Sequence, residues 1–167
     1  AVLDRLKNAA PDRWEQRVAT LTAGLPAVEE RLRLAQRERL DAWQTRRGDA
    51  AHGQLLMKKH CASCHKAAGE GAMVGPQLDG VGNRGPERLL EDILDPNRNV
   101  DAAFRTTILV KNDGQVVSGL KLREEGGAIV LANNEGKEVR VAASDIDESR
   151  VSGLSLMPAN FVDTLPA

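Results

Sequence analysis

Apolar positions recur at helical spacing through the first sixty residues, stop at a glycine-rich stretch, return for one short helical run, and then begin to alternate. Pro11-Asp12 offers a start, and Trp14, Val18 and Leu21 follow at helical spacing until Gly24-Leu25-Pro26 ends the run. In AVEERLRLAQRERLDAWQTRRG, Val28, Leu32, Ala35, Ala42 and Trp43 share one arc at 100° per residue. Arg39 interrupts that arc, and Leu34 lies off it. Gly48 is a stop, with Arg46 and Arg47 favourable at the negative end of the dipole. Asp49 is the expected N-cap of a third helix, AAHGQLLMKKHCASCH, extending through His65.

KAAGEGAMVGPQLDGVGNRGP is a long loop for a compact domain unless something is packed beneath it. PERLLEDILDPN follows as a short helix, with Leu89, Leu90, Ile93 and Leu94 apolar. The period then changes to two. FRTTILVKNDGQVVSGLKL predicts strand, Asn112-Asp113-Gly114 turn and strand, and GGAIVLANNEGKEVRVAASDI repeats the pattern around Asn133-Asn134-Glu135-Gly136. Four strands in a small antiparallel meander are expected, followed by an irregular tail, SRVSGLSLMPANFVDTLPA.

Composition changes this picture at one point. The 167 residues include no tyrosine, and the aromatics are Trp14, Trp43, Phe104 and Phe161. From the cysteine motif onward only two phenylalanines are available to fill a core, and a bulky flat cofactor would supply the missing apolar volume. Net charge is −1, with no segment basic enough for a nucleic-acid surface. No apolar run approaches the ~20 residues that span a bilayer. The opening AVLDRLKNAAPDRW lacks the apolar segment of a signal peptide.

The candidate chemistry lies in CASCH at 61–65, which holds both cysteines of the chain. On a helix, Cys61 and Cys64 would share a face, with His65 able to turn toward the same side. C-x-x-C-H is the signature of c-type haem attachment, with thioethers from the two sulfurs and the histidine as iron ligand. Zinc is the main rival, but a structural site wants four ligands. Of the other histidines, His52 and His60, the latter lies about 140° from His65 around a helix. A disulfide leaves His65 and the glycine loop without a role. A thioredoxin-like pair calls for a strand before the motif, where a helix is read instead.

A second axial ligand would come from Met57, Met73 or Met157. Met57 precedes the attachment point, and Met73 falls on the loop needed behind His65. Met157 stands 92 residues downstream in SLMP, beside a proline that stiffens the turn, although core filling is the commoner role of a methionine.

CASCH, GAMVGPQLDGVGNR, LLEDILDPN, ILVKNDGQVVSGL and SLMP, in that order, resemble a class I cytochrome c. The finer resemblance is to the planctomycete/verrucomicrobial-type haem-binding domain, over roughly 48–165. It implies a mainly α fold: a class I cytochrome c-like haem domain over 48–167 with the β-meander inserted at about 104–150; residues 1–47 lie outside the resemblance, and their helical pattern is read as an N-terminal helical appendage. Those first residues are alternatively the end of a preceding helical module. It further implies one covalent haem c on Cys61 and Cys64, with His65 as proximal and Met157 as distal ligand. Gly75-Pro76 would supply the carbonyl for the His65 ring, Leu78 a haem contact, and Asn83 and Arg84 neighbours of the propionates.

Such a domain passes single electrons to or from a redox partner or a fused dehydrogenase module, and is not itself an enzyme. A five-coordinate gas sensor or peroxidase-like protein is the alternative. Attachment chemistry places the protein in the periplasm. The family closes with a C-terminal helix where this sequence stops after TLPA; either the sequence ends short of that helix or another element replaces it, and the helices of 12–47, with Trp14 and Trp43, are the candidates for its place.

Overall fold

The computed structural model describes residues 11–24, 28–46 and 48–166. By contacts the chain divides into two compact units, Ala1–Arg33 and Leu34–Ala167. In the first unit α1 runs Pro11–Thr22, its proline at the helix start, where the missing N–H leaves no carbonyl unpaired. The side chain of Trp14, expected in the place of the family's C-terminal helix, lies outside the described residues.

α2 runs Val28–Thr45, with Glu29 and Glu30 in its first turn, where negative charge suits the helix dipole. From Leu34 onward its residues belong to the second unit. There Ala35 is buried, whereas Leu34 and Trp43 are exposed. Arg39, the residue that breaks the apolar arc, reaches across the unit to the end of the chain. Its Nη2 donates to the carbonyls of Val162 and Leu165, at 3.3 and 3.2 Å.

α3 spans Ala50–His60 and is capped by Asp49, whose Oδ1 accepts from the amides of Ala51 at 2.9 Å and His52 at 3.1 Å. α4 spans Pro86–Leu94, with proline in its first turn and Leu94 fully buried. α5, Phe161–Thr164, is a single turn that buries Phe161 and packs on α4.

Between α4 and α5 lies an antiparallel sheet of five strands, ordered β4-β3-β2-β1-β5. The strands are β1 Arg105–Lys111, β2 Val116–Glu125, β3 Ala128–Ala132, β4 Glu138–Ala142 and β5 Ile146–Ser155. The turns at Gly114 and Gly136 have φ of 83° and 76°, which glycine adopts without the Cβ penalty. Cross-strand pairs Leu109–Val117, Leu131–Val139 and Ile129–Val141 set one face, whose centre is the buried cluster Leu109, Leu131 and Val141. Val130 and Ala132 point to the opposite face and are also fully buried, so β3 is covered on both sides.

Two expectations are corrected here. The protein is not mainly α: the five-stranded sheet carries its own hydrophobic cluster, so the architecture is mixed helix and sheet. The tail from Ser149 is not irregular at its start, because it continues β5, which pairs with β1 along most of its length. β5 escapes a pattern reading because it is an edge strand. Residues 147–151 are all exposed, so no apolar alternation marks it.

Candidate functional site

The helix that carries CASCH ends one residue before it. Cys61 is the C-cap, and the Met57 carbonyl accepts from both Cys61 at 2.9 Å and Ala62 at 3.0 Å. The motif then folds into a tight turn, in which the Cys61 carbonyl accepts from Cys64 at 3.1 Å and from His65 at 2.9 Å. The expectation of a helix through His65 is therefore corrected. The shared carbonyls end α3, and the turn rather than the helix face groups the two sulfurs with the imidazole. Both thiols are free and half-buried. Burial, and then the neighbouring Cys64, push the Cys61 thiol up, so it stays protonated and uncharged at neutral pH.

Behind the turn, the glycine loop takes up the motif's backbone. Ala72 donates to the Ala62 carbonyl, Val74 and Gly75 to that of Cys64, and Leu78 to that of Lys66, all within 2.7–3.0 Å. Glycine is required at two close approaches. A Cβ on Gly71, at φ 99°, would overlap the His65 carbonyl oxygen, and one on Gly75 would sit 2.6 Å from Cε1 of the His65 ring. The ring is thus packed against bare backbone.

The Pro76 carbonyl lies 2.7 Å from Nδ1 of His65. A carbonyl only accepts, so Nδ1 carries the proton and, in the neutral ring, Nε2 is left with a free lone pair. This arrangement suits a neutral imidazole bound to a metal.

Asp79, to which the sequence reading gave no role, clamps the same loop. Its Oδ1 accepts from the Ala68 amide at 2.6 Å and its Oδ2 from Gln77 Nε2. Ala68 is the one described non-glycine residue at positive φ, 50°, so the clamp holds a strained backbone. The Ala68 amide, then Gln77, hold the Asp79 carboxyl below the usual carboxylate range. A depressed folded value means that the stabilisation is present above the ordinary carboxylate pKa of about 3.9 and is lost as pH falls through the lower folded value. Acidification is expected to release Ala68 only below that ordinary value. Titration of the Asp79 side-chain carbon by NMR measures it, and an unshifted midpoint would remove the clamp.

The remaining candidates lie in three places. Leu78 is half-buried on the loop. Asn83 and Arg84 are exposed in the 3-10 turn Val81–Arg84, and Arg84 Nη1 pairs with Asp92 Oδ2 at 2.7 Å. Arg88 bridges Glu91 and Asp92, and Arg98 pairs with Glu91, so Arg84 belongs to an ion-pair network on α4.

Met157 is half-buried just beyond β5, and its amide donates to Ser155 Oγ at 3.1 Å. Met57 is half-buried on α3 and Met73 is exposed. His60 faces Phe161 edge to face at 6.4 Å. Among the described residues, no group of three or more His, Cys, Asp or Glu side chains is placed to hold a metal ion, so the zinc alternative lacks its further ligands.

The sheet also reaches the motif. At Gly136, in the β3–β4 turn, a Cβ would overlap the Ser63 carbonyl oxygen and lie 3.7 Å from the Cys64 sulfur. The NNEG signature announced a turn but not what the turn touches.

Residues 50–125 match the family described as Cytochrome c. No curated protein matches the chain.

Proposed function

We propose that residues 50–125, which match the family described as Cytochrome c, form a domain that carries haem c on Cys61 and Cys64, and that His65 Nε2 and Met157 Sδ are the two axial ligands of its iron. When bound, the haem supplies a one-electron couple, and the protein is an electron-transfer protein that works with a redox partner. The residues present suit it: two free thiols and an imidazole grouped by one turn, with bare glycine backbone behind the ring.

The observation that carries the reading is the hydrogen bond from His65 Nδ1 to the Pro76 carbonyl. It fixes the tautomer, orients the ring and raises the basicity of Nε2. Leu78 is proposed as a haem contact, and Asn83 and Arg84 as neighbours of the propionates. Support for Arg84 is its pairing with Asp92, which holds the guanidinium in place while leaving further N–H donors.

With Met157 as well as His65 holding the iron, the thioether would favour the ferrous state and raise the potential, as suits a carrier. Thiols must be kept reduced until attachment, and attachment occurs outside the cytoplasm, so the proposed location is the periplasm. The proposed electron source is a dehydrogenase module, separate or fused.

Met157→Ala tests the ligation. The sulfur-to-iron absorption band of the oxidised protein is expected to vanish, the potential to fall, and carbon monoxide to bind the reduced protein rapidly. A band and potential left unchanged would defeat the assignment of Met157.

A further inference from the structure

We propose that Asn97 is a positioning residue for the Met157 ligand, an inference that rests on the axial assignment above. Met157 follows β5 by two residues, and the chain there is fixed by a two-step relay. Asn97 Oδ1 accepts from the backbone amide of Ser155 at 2.9 Å, and Ser155 Oγ in turn accepts from the backbone amide of Met157 at 3.1 Å. One serine thus receives its place from Asn97 and passes it on to the methionine.

Asn97 suits this role because its own position is fixed. It stands three residues past Leu94, the fully buried end of α4, in a turn closed by the amide of Arg98 on the Asp95 carbonyl at 3.1 Å. The contact spans 58 positions and is part-buried. It ties the helix that follows the proximal loop to the strand that delivers the distal residue. β5 alone does not provide this: its register with β1 is irregular between Arg105 and Thr107, and Arg105 is the partner of Ser155. Where the ladder is interrupted, the Asn97 side chain supplies the missing fixed point.

A thioether is a weak neutral ligand that leaves and rebinds, and its departure is resisted partly by the stiffness of its chain. Removing one such hydrogen bond is expected to raise the departure rate about three- to tenfold. The test uses the intact haem-loaded protein and three variants. Asn97→Leu removes the acceptor at similar volume, Asn97→Asp keeps an oxygen for Ser155, and Ser155→Ala cuts the second step.

Cyanide binding to the oxidised protein, limited by methionine departure, should accelerate about three- to tenfold in Asn97→Leu and Ser155→Ala and stay near wild type in Asn97→Asp. Amide hydrogen exchange should quicken at Ser155 and Met157 in Asn97→Leu, and at Met157 in Ser155→Ala. A merely structural role would lower the unfolding midpoint without altering cyanide entry while the protein remains folded. Unchanged cyanide rates and Ser155 protection in Asn97→Leu, in a protein whose sulfur-to-iron band is lost in Met157→Ala, would overturn the positioning role alone. A band that survives Met157→Ala would overturn the ligation and this inference together.

Discussion

Gly75→Ala is expected to dislodge the His65 imidazole from its carbonyl partner and to destabilise the haem-loaded protein. The new methyl would lie 2.6 Å from Cε1, 3.0 Å from Nδ1 and 3.1 Å from Nε2 of His65, so it meets the ring rather than a solvated chain end. The ring has little room to yield, because Nδ1 is bound to the Pro76 carbonyl and Nε2 is committed to the iron in the proposed holoprotein. The loop has little either, since the Gly75 amide donates to the Cys64 carbonyl at 2.7 Å.

Overpacking of this kind costs about 1–3 kcal/mol, and loss of the imidazole hydrogen bond adds about 1 kcal/mol. Denaturant unfolding gives the total, and the NMR resonance of the His65 Nδ1–H reports the ring. Gly82→Ala is the companion variant, because nothing lies within 4 Å of a Cβ there. Equal stabilities for the two variants, with the ring proton unmoved, would show that Gly75 does not bear on the ligand.

Gly136→Ala is expected to separate the sheet from the attachment motif. Two costs combine. At φ 76° an L-residue is strained by about 1–2 kcal/mol, and the added methyl overlaps the Ser63 carbonyl oxygen. Ser63 sits between the two haem-bearing cysteines, so its backbone cannot retreat. The turn is also stiff: Asn133 Oδ1 accepts from Glu135 and Lys137, and the Gly136 amide donates to the Asn133 carbonyl.

Gly114→Ala isolates the contact. It has a similar φ of 83° in the neighbouring hairpin, with nothing within 4 Å of its Cβ. Both variants should show the conformational cost, and Gly136→Ala about 1–3 kcal/mol more in guanidinium unfolding of the holoprotein. Indistinguishable midpoints would mean that the β3–β4 turn does not press on the motif.

What the sequence discloses follows the range of each interaction. Asp49, the Pro86 helix start and the turns at Gly114 and Gly136 are governed by residues within a few positions, so local chemistry shows them directly. CASCH is legible for the same reason, because its five residues are the attachment chemistry. The helix end at His60 is less so, since it depends on one carbonyl, Met57, being shared by two amides.

Arg39 looks like a flaw in an apolar arc until Val162 and Leu165, more than 120 positions away, are brought beside it. Asn97 and Asp79 sit inside stretches already singled out, yet their partners, Ser155 and Ala68, lie 58 and 11 positions off. β5 is defined by β1 rather than by its own residues. The mainly α expectation failed on the same account: the strands were visible one by one, but not that they join a fifth and enclose a cluster of their own.

Arg105 and Ser155 are partners across β1 and β5, so the chain sets out into the sheet and comes back to nearly the same point. Paired residues of this kind have Cα atoms about 5 Å apart, a gap that one or two residues bridge. The whole excursion is therefore a detour with a closed neck. The strands between those two residues therefore do not stretch the chain: α4 before the detour and the methionine after it meet at its neck. At its far tip, Gly136, the detour leans back on the attachment motif.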